Sequence, residues 1–190
     1  IAVGRLPAQT AEQMAVLVAK TLSYEEKGNA GPWRNNVLLV ADDDESGFAT
    51  ETNEFAGQLE GYQTELTTIR DGGAETRQQL FDAFAAGTGL IGYFGHGSVS
   101  LWAKEKVLST ADAEKLRNKD LPVVFTVTCL AGFFEHPRTV SLAESLLRNP
   151  EGGAVAALVP SSAALLTAQR LLAQALAASR AERGATPRRL

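Results

Sequence analysis

The sequence predicts an α/β fold, in which a mostly parallel sheet is covered by helices on both faces. Short apolar runs alternate along the chain with segments of helical periodicity. These runs are rich in Val, Leu, Ile and Phe with little polar interruption, which is typical of parallel strands buried on both faces. A length of 190 residues suits one domain with its own hydrophobic core.

Local signals place the elements of the first half of the chain. The first helix is predicted to begin at Thr10, because Thr10 and Gln13 have the spacing of a capping box and apolar residues then recur at helical intervals. The apolar run Asn36–Ala41 predicts a buried strand that leads into three consecutive aspartates. The next predicted elements are a helix after Gly47, a strand over 62–69 and a helix over 73–86.

Two apolar runs in the second half of the chain end at residues with unusual chemistry. The run Leu90–Phe94 predicts a second buried strand, which ends at the glycine-flanked His96. A helix capped by Ser109 or Thr110 and running to residue 116 separates it from a third buried strand over 121–128, which ends at Cys129. The remaining predicted elements are a helix over 141–147, a strand over 154–159 and a final helix over 165–183.

Composition excludes several classes of protein. The net charge is −4 and no basic run is present, which argues against a dedicated nucleic-acid binder. One cysteine and two histidines exclude a disulfide framework and a cysteine-rich zinc site. No stretch reaches the roughly 18 to 20 apolar residues of a membrane span, so we expect no membrane insertion in this chain. Because it lacks an initiator Met, we interpret 1–190 as a single domain excised from a longer protein.

His96 and Cys129 follow consecutive buried strands, and each lies just past a strand end. The carboxyl ends of parallel strands meet at one edge of a sheet, where working residues collect. A thiol and an imidazole placed there have the chemistry of a nucleophile and its general base, and the backbone N–H groups of Gly97 and Cys129 are candidate donors to an oxyanion. The alternative is a small apolar core cysteine and a hydrogen-bonded loop histidine, and the residue pattern alone leaves both interpretations open.

Asp42, Asp43 and Asp44 follow the first strand and so belong to the same predicted edge. They are candidates to orient His96, to cap the next helix or to bind a structural cation. Response-regulator receiver domains also carry acids at this point. Those domains need an aspartate and a lysine at the ends of later strands, where this chain has His96 and a Ser-Ser pair, so the receiver interpretation fails.

Nearly the whole chain carries an ordered set of motifs. They are Gly95-His96-Gly97-Ser98, Trp102, Leu121-Pro122 before the strand that ends at Cys129, Gly132 with Phe133 or Phe134, Leu142-Ala143-Glu144 and Gly153-Ala154-Val155-Ala156, preceded by Val3-Gly4-Arg5-Leu6-Pro7-Ala8. This set resembles the gingipain-type cysteine peptidases, which form peptidase family C25 of the caspase-like clan. The order of the motifs makes the resemblance specific, whereas a single Gly-His-Gly would be weak.

The resemblance implies a caspase-like three-layer sandwich and a cysteine endopeptidase that acts through a dyad of His96 and Cys129. It implies an oxyanion site at the amides of Gly97 and Cys129, and an acid that orients the histidine, for which we favour Asp43 or Asp44. It further implies peptide or protein substrates, no cofactor apart from the structural calcium that some members carry, a secreted or surface location, and a catalytic domain that continues past the final helix. The alternative function is a catalytically degenerate module of the same fold that acts in surface assembly or protein binding.

The substrate groove is expected to include Gly47, Ser98, Trp102, Ser161 and Ser162, although Trp102 also suits a packing role. Arginine-specific members carry an acid at the position that matches Gly47. A glycine there offers no charge, so we expect poor cleavage after Arg or Lys unless a neighbouring acid, Glu45 or Asp44, reaches the pocket.

Overall fold

Five parallel strands form the central sheet of this computed structural model, which describes residues 4–26, 31–164 and 166–181. Together with a separate two-stranded hairpin, the described residues contain seven strands. In chain order they are β1 (Asn36–Ala41), β2 (Gln63–Thr68), β3 (Leu90–Phe94), β4 (Leu101–Trp102), β5 (Leu108–Ser109), β6 (Val123–Val127) and β7 (Ala156–Leu158). The strand order in the central sheet is β2-β1-β3-β6-β7, and each pair of adjacent strands is parallel. β4 and β5 form a separate antiparallel hairpin.

Helices cover both faces of this sheet and complete three layers. They are α1 (Ala11–Glu26), α2 (Ser46–Ala56), α3 (Ala74–Ala86), α4 (Thr110–Ala113), α5 (Leu142–Arg148) and α6 (Leu166–Ala181). One core contains Leu80 and Phe84 of α3, Leu142 of α5 and Trp102 of the hairpin. The opposite core, which we call the α2–α6 face, contains residues of α2 and α6, with Phe55 stacked on Phe125 of β6. The predicted α/β sandwich is therefore confirmed.

Successive side chains of the inner strands point alternately into these two cores. In β1, Leu38 and Val40 belong to the core under α3, whereas Val37 and Leu39 belong to the α2–α6 face. A strand buried on both faces cannot show polar alternation, which explains the continuous apolar run in the sequence. The edge strand β2 has no buried residue and five of its six residues are polar, as an edge strand in contact with water should be.

Most predicted elements are present with small differences at their ends. β1 and β3 have the predicted bounds, and α1 follows Thr10, whose hydroxyl accepts the Gln13 N–H at 3.2 Å. The helix after Ser109 ends at Ala113 instead of continuing to residue 116. The side-chain amide of Asn149 takes the carbonyls of Ala113 and Leu116, each at 2.8 Å, so these carbonyls serve a tertiary contact. The predicted ends of the last helix, 165 and 183, lie outside the described residues.

A buried lysine, Lys20, joins α1 to the end of α5 and to the turn before β7. The Lys20 Nζ lies 2.8–3.1 Å from four main-chain carbonyl oxygens, those of Leu146, Leu147, Asn149 and Gly152, which share its three N–H donors. These oxygens lie at the end of α5 and in the turn before β7. Burial lowers the pKa of Lys20 to about 8. Within the described ranges, the structure contains no helix with the length and apolar character needed to cross a bilayer.

Candidate active site

The structure places His96 and Cys129 at the same edge of the sheet and at the same height. β3 and β6 are parallel neighbours, and their last paired residues are Phe94 and Val127. Gly95 continues the pairing by donating its N–H to the Val127 carbonyl at 3.0 Å. His96 and Cys129 each lie two residues beyond this last pair, so the two strand ends bring them to adjacent positions.

Both side chains lie on the α2–α6 face. The His96 imidazole packs edge-on against Phe48 of α2, with the ring centroids 5.1 Å apart. The Cys129 thiol faces the Ala164 carbonyl just before α6, at 3.8 Å. The thiol is free and half-buried, and the imidazole is exposed.

The carboxylate that contacts the His96 ring is that of Glu45. Its Oε1 lies 3.1 Å from His96 Nε2, and the two side chains are 54% and 55% exposed. Of the two acids that the sequence analysis favoured, Asp44 pairs with the Lys104 ammonium and Asp43 is exposed. Glu45 is the residue just before α2, three positions before the phenylalanine that packs on the imidazole, and this helix spacing is the signal that could have identified it.

Asp42 contacts the main chain of the histidine instead of its ring. Its carboxylate is fully buried, and Oδ2 accepts the His96 N–H at 2.9 Å and lies 3.0 Å from the Tyr93 hydroxyl. Burial, followed by the negative charge of Asp42, raises the pKa of Tyr93 far above its ordinary value. Carboxylate oxygens of Asp42, Asp43 and Asp44 lie within 4.8 Å of one another, so this triplet is the group in the described ranges that could hold a cation.

The main-chain amides of Gly97 and Cys129 at this edge donate no hydrogen bond within the described part of the chain. Gly97 pairs with Trp102 in a bridge whose bonds are made by the flanking residues, Ala103 N–H to the His96 carbonyl and Ser98 N–H to the Leu101 carbonyl, each at 3.0 Å. In such a non-hydrogen-bonded pair the N–H points away from the partner. A side chain at position 97 would overlap the Thr128 hydroxyl, so only glycine allows this close approach.

The chain turns sharply after Cys129. Leu130 has a φ of 60°, which is unusual for a residue with a side chain and holds the turn in a strained conformation. The Leu130 N–H donates to the Ser162 carbonyl at 3.2 Å, and the Gly132 N–H donates to the Pro160 carbonyl at 2.9 Å. The loop after Cys129 is thereby joined to the loop after β7, which fixes the side of the site next to the thiol.

The residues predicted to line the substrate groove have different surroundings. Ser161 and Ser162 are exposed on the loop joined to the Cys129 turn, and Gly47 lies in the first turn of α2 with open space around it. The Ser98 hydroxyl accepts the Ser100 N–H at 3.3 Å.

The prediction that Trp102 contacts substrate is wrong. Its side chain is 0% exposed and its ring stacks on Tyr93, with centroids 4.7 Å apart and planes at 6°. Its position on the hairpin turns the indole into the core under α3, where it has no access to the groove.

The chain shares sequence with two gingipains. Gingipain R2 of Porphyromonas gingivalis is 28% identical over 161 residues, which are 80% of this chain and 22% of that protein. Gingipain R1 of the same organism is also 28% identical over 161 residues, which are 80% of this chain and 16% of that protein. The chain therefore spans about a fifth of the length of these curated relatives.

Solved structures of a gingipain share the fold. The Arg-specific cysteine proteinase gingipain R (RgpB) superposes with a TM-score of 0.75 at 24% identity, covering 93% of this chain and 44% of that one. A complex of the pro- and mature domains of RgpB from Porphyromonas gingivalis matches with a TM-score of 0.75 at 25% identity, covering 92% of this chain and 45% of that one. The model of peptidase family C25 matches residues 1–187. The chain belongs to peptidase family C25.

Proposed function

We propose that this chain carries the catalytic dyad of a cysteine endopeptidase, with Cys129 as nucleophile and His96 as general acid and base. The observation that carries the proposal is the placement of both residues two positions beyond the same strand pair, on the same face of the sheet. Membership of a cysteine peptidase family supports this choice over the two structural roles that the sequence pattern left open.

The proposed reaction proceeds through a thioester. The Cys129 sulfur adds to the scissile carbonyl carbon as its proton passes to His96, and the carbonyl oxygen takes the negative charge. The tetrahedral intermediate then expels the amine, which leaves with the proton from the imidazolium. A water molecule, deprotonated by His96, attacks the thioester and releases the carboxylic acid, and the thiol is restored.

The amides of Gly97 and Cys129 are proposed to hold the oxyanion. Along β6 the residues with the parity of Cys129 face β3, as the Val123 N–H shows by donating to the Gly89 carbonyl at 3.0 Å. The same alternation turns the Cys129 N–H toward the end of β3. The Gly97 N–H points away from Trp102 and hence toward β6, so two unused donors face one gap.

Glu45 is proposed to orient the imidazole, in the role first expected of Asp43 or Asp44. Its bond to Nε2 leaves the other ring nitrogen for the thiol, and the ring itself is held by its edge contact with Phe48. Thiolate and imidazole perform every bond change of the scheme, so the proposed reaction uses no cofactor. Structural calcium in this chain stays a prediction, for which the three consecutive aspartates are the candidate ligands.

The proposed substrates are peptides or proteins, and the groove beside Ser161 and Ser162 is their proposed path across the thiol. A location outside the cell or on its surface stays a prediction from the resemblance. The alternative of a degenerate binding module has no particular observation in its favour, because the thiol, the imidazole and both candidate oxyanion donors are all present.

A peptide-library cleavage assay on the full-length protein tests the proposal. His96→Ala and Cys129→Ala should each abolish cleavage without unfolding the protein, because neither side chain belongs to the core. His136→Ala is the matched control, since His136 is the other histidine and, among the described residues, its ring accepts hydrogen bonds from Arg138 and Thr139 of its own loop. Full cleavage by Cys129→Ala would overturn the proposal.

A further inference from the structure

The main chain of His96 is held from three directions. Its N–H donates to Asp42 Oδ2 at 2.9 Å. Its carbonyl oxygen accepts the Tyr93 hydroxyl at 2.6 Å and the Ala103 N–H at 3.0 Å. None of these bonds uses the imidazole, yet together they fix both peptide groups of the residue that carries it.

The two side chains that make these bonds are themselves immobilised. Asp42 and Tyr93 are both 0% exposed, and the Tyr93 ring stacks on the buried Trp102. The Asp42 N–H donates to the Phe94 carbonyl at 2.8 Å, which ties the end of β1 to the end of β3. A side chain at Gly95 would overlap both the Asp42 and Tyr93 side chains, so glycine makes room for the contact.

Stability alone does not account for a carboxylate in this position. A buried carboxylate is costly unless it is fully hydrogen-bonded, and apolar residues of similar volume often serve a core as well or better. Asp42 Oδ2 accepts the His96 N–H, and it also lies 3.0 Å from the Tyr93 hydroxyl, whose single proton it shares with the His96 carbonyl. What this arrangement adds to the fold is a defined position for the main chain of one exposed histidine and of the glycine that follows it.

We propose that Asp42 and Tyr93 are positioning residues for the cleavage reaction, and we call the pair the His96 clamp. By fixing the main chain of His96, the clamp sets the imidazole and the next amide, that of Gly97, relative to the thiol of Cys129. The inference rests on the proposed function, because it assigns these groups to the same reaction.

The expected effect of loosening the clamp is a loss of turnover. Reacting groups must be held closely, and a displacement of about 1 Å can cost about 100-fold in rate. Tyr93→Phe keeps the stacked ring but removes one of two donors to the His96 carbonyl, so we expect kcat to fall about 10-fold. Asp42→Ala leaves the His96 N–H without an acceptor, and we expect a fall of about 100-fold. KM should stay within about twofold in both variants, since neither side chain reaches the solvent-exposed groove.

A conservative variant separates positioning from simple loss of structure. Asp42→Asn keeps an oxygen for the His96 N–H and gives up the longer, 3.3 Å bond to the Asp44 N–H. It should therefore recover most of the kcat that Asp42→Ala loses. Thr126→Val is the matched control, because it removes a buried hydroxyl that has no partner in the described residues, and its kcat should equal that of the wild type.

The experiment measures kcat and KM of the full-length variants on one peptide, together with amide hydrogen exchange at His96 by NMR. The clamp predicts faster exchange at His96 in Asp42→Ala and slower turnover in both clamp variants at unchanged KM. Wild-type kcat in a folded Tyr93→Phe variant, or no difference between the Asn and Ala variants of Asp42, would overturn it. If the wild type itself does not cleave peptides, the proposed function fails. In that case, slower amide exchange at His96 in the wild type than in Asp42→Ala would still show that the clamp holds the main chain of His96.

Discussion

Replacing Glu45 by Gln should slow the proposed reaction only slightly. The Glu45 and His96 side chains are 54% and 55% exposed, and an ion pair between groups so open to water contributes about 0.2–1 kcal/mol. Glutamine keeps an oxygen for the hydrogen bond to Nε2, so at most this electrostatic contribution is lost. The corresponding decrease in kcat/KM is about 1.4- to 5-fold. A buried carboxylate in a catalytic triad behaves differently, since its loss costs about 10⁴-fold in kcat.

The assay compares kcat/KM of the wild type, Glu45→Gln and Glu45→Ala on one peptide at 0.05 and 0.5 M salt. The difference between wild type and Glu45→Gln should shrink at high salt, because exposed charges are screened within a few ångströms there. A loss of 100-fold or more in Glu45→Gln would refute the reasoning, since a half-exposed pair cannot supply that much free energy. It would indicate that the carboxylate becomes buried when substrate binds.

Two further predictions concern specificity and stability. Glu45 is bonded to His96 and Asp44 to Lys104, so neither acid is free to supply the charge that Gly47 lacks. Among matched peptides, we therefore expect a lower kcat/KM for Arg before the scissile bond than for Ala or Leu. A preference for Arg of 100-fold or more would contradict this. Burial lowers the pKa of Lys20 in the folded protein to about 8, from an ordinary value of 10.5. Between these two pH values the unfolded chain binds more protons than the folded one, so the free energy of unfolding rises with pH, by up to about 3 kcal/mol. Urea unfolding at pH 7 and 10.5 should show this rise in the wild type and not in Lys20→Met, and equal rises in both would contradict it.

The fold could be predicted from the sequence because its inner strands are buried on both faces. β1 and β3 appear as unbroken apolar runs, and their predicted bounds agree with the structure. The hairpin of β4 and β5 was not predicted, since strands of two residues are too short for a periodic pattern to show. The early end of α4 follows from a side chain, Asn149, that lies far along the chain, and local signals contain no trace of such a contact.

The edge of the sheet that carries the site could be predicted as well, whereas the contacts within it could not. Placement of His96 and Cys129 follows from strand order, because parallel neighbours end at one edge. Which of four consecutive acids meets the imidazole depends on how the loop turns before α2, and the structure gives that contact to Glu45. The burial of Trp102 depends on the hairpin that the sequence did not reveal.

The most direct test of the central claim is active-site labelling with a peptidyl chloromethyl ketone, which alkylates a cysteine much faster when its peptide is bound beside an activated thiol. The full-length protein is incubated with the probe near neutral pH, and the modified residue and the rate are determined by mass spectrometry. The dyad predicts a single adduct at Cys129 that forms at least about 100-fold more slowly in His96→Ala, in line with the typical contribution of a general base, and at the wild-type rate in His136→Ala. Absence of the adduct, or its formation at the same rate in His96→Ala, would contradict the claim that these two residues act together.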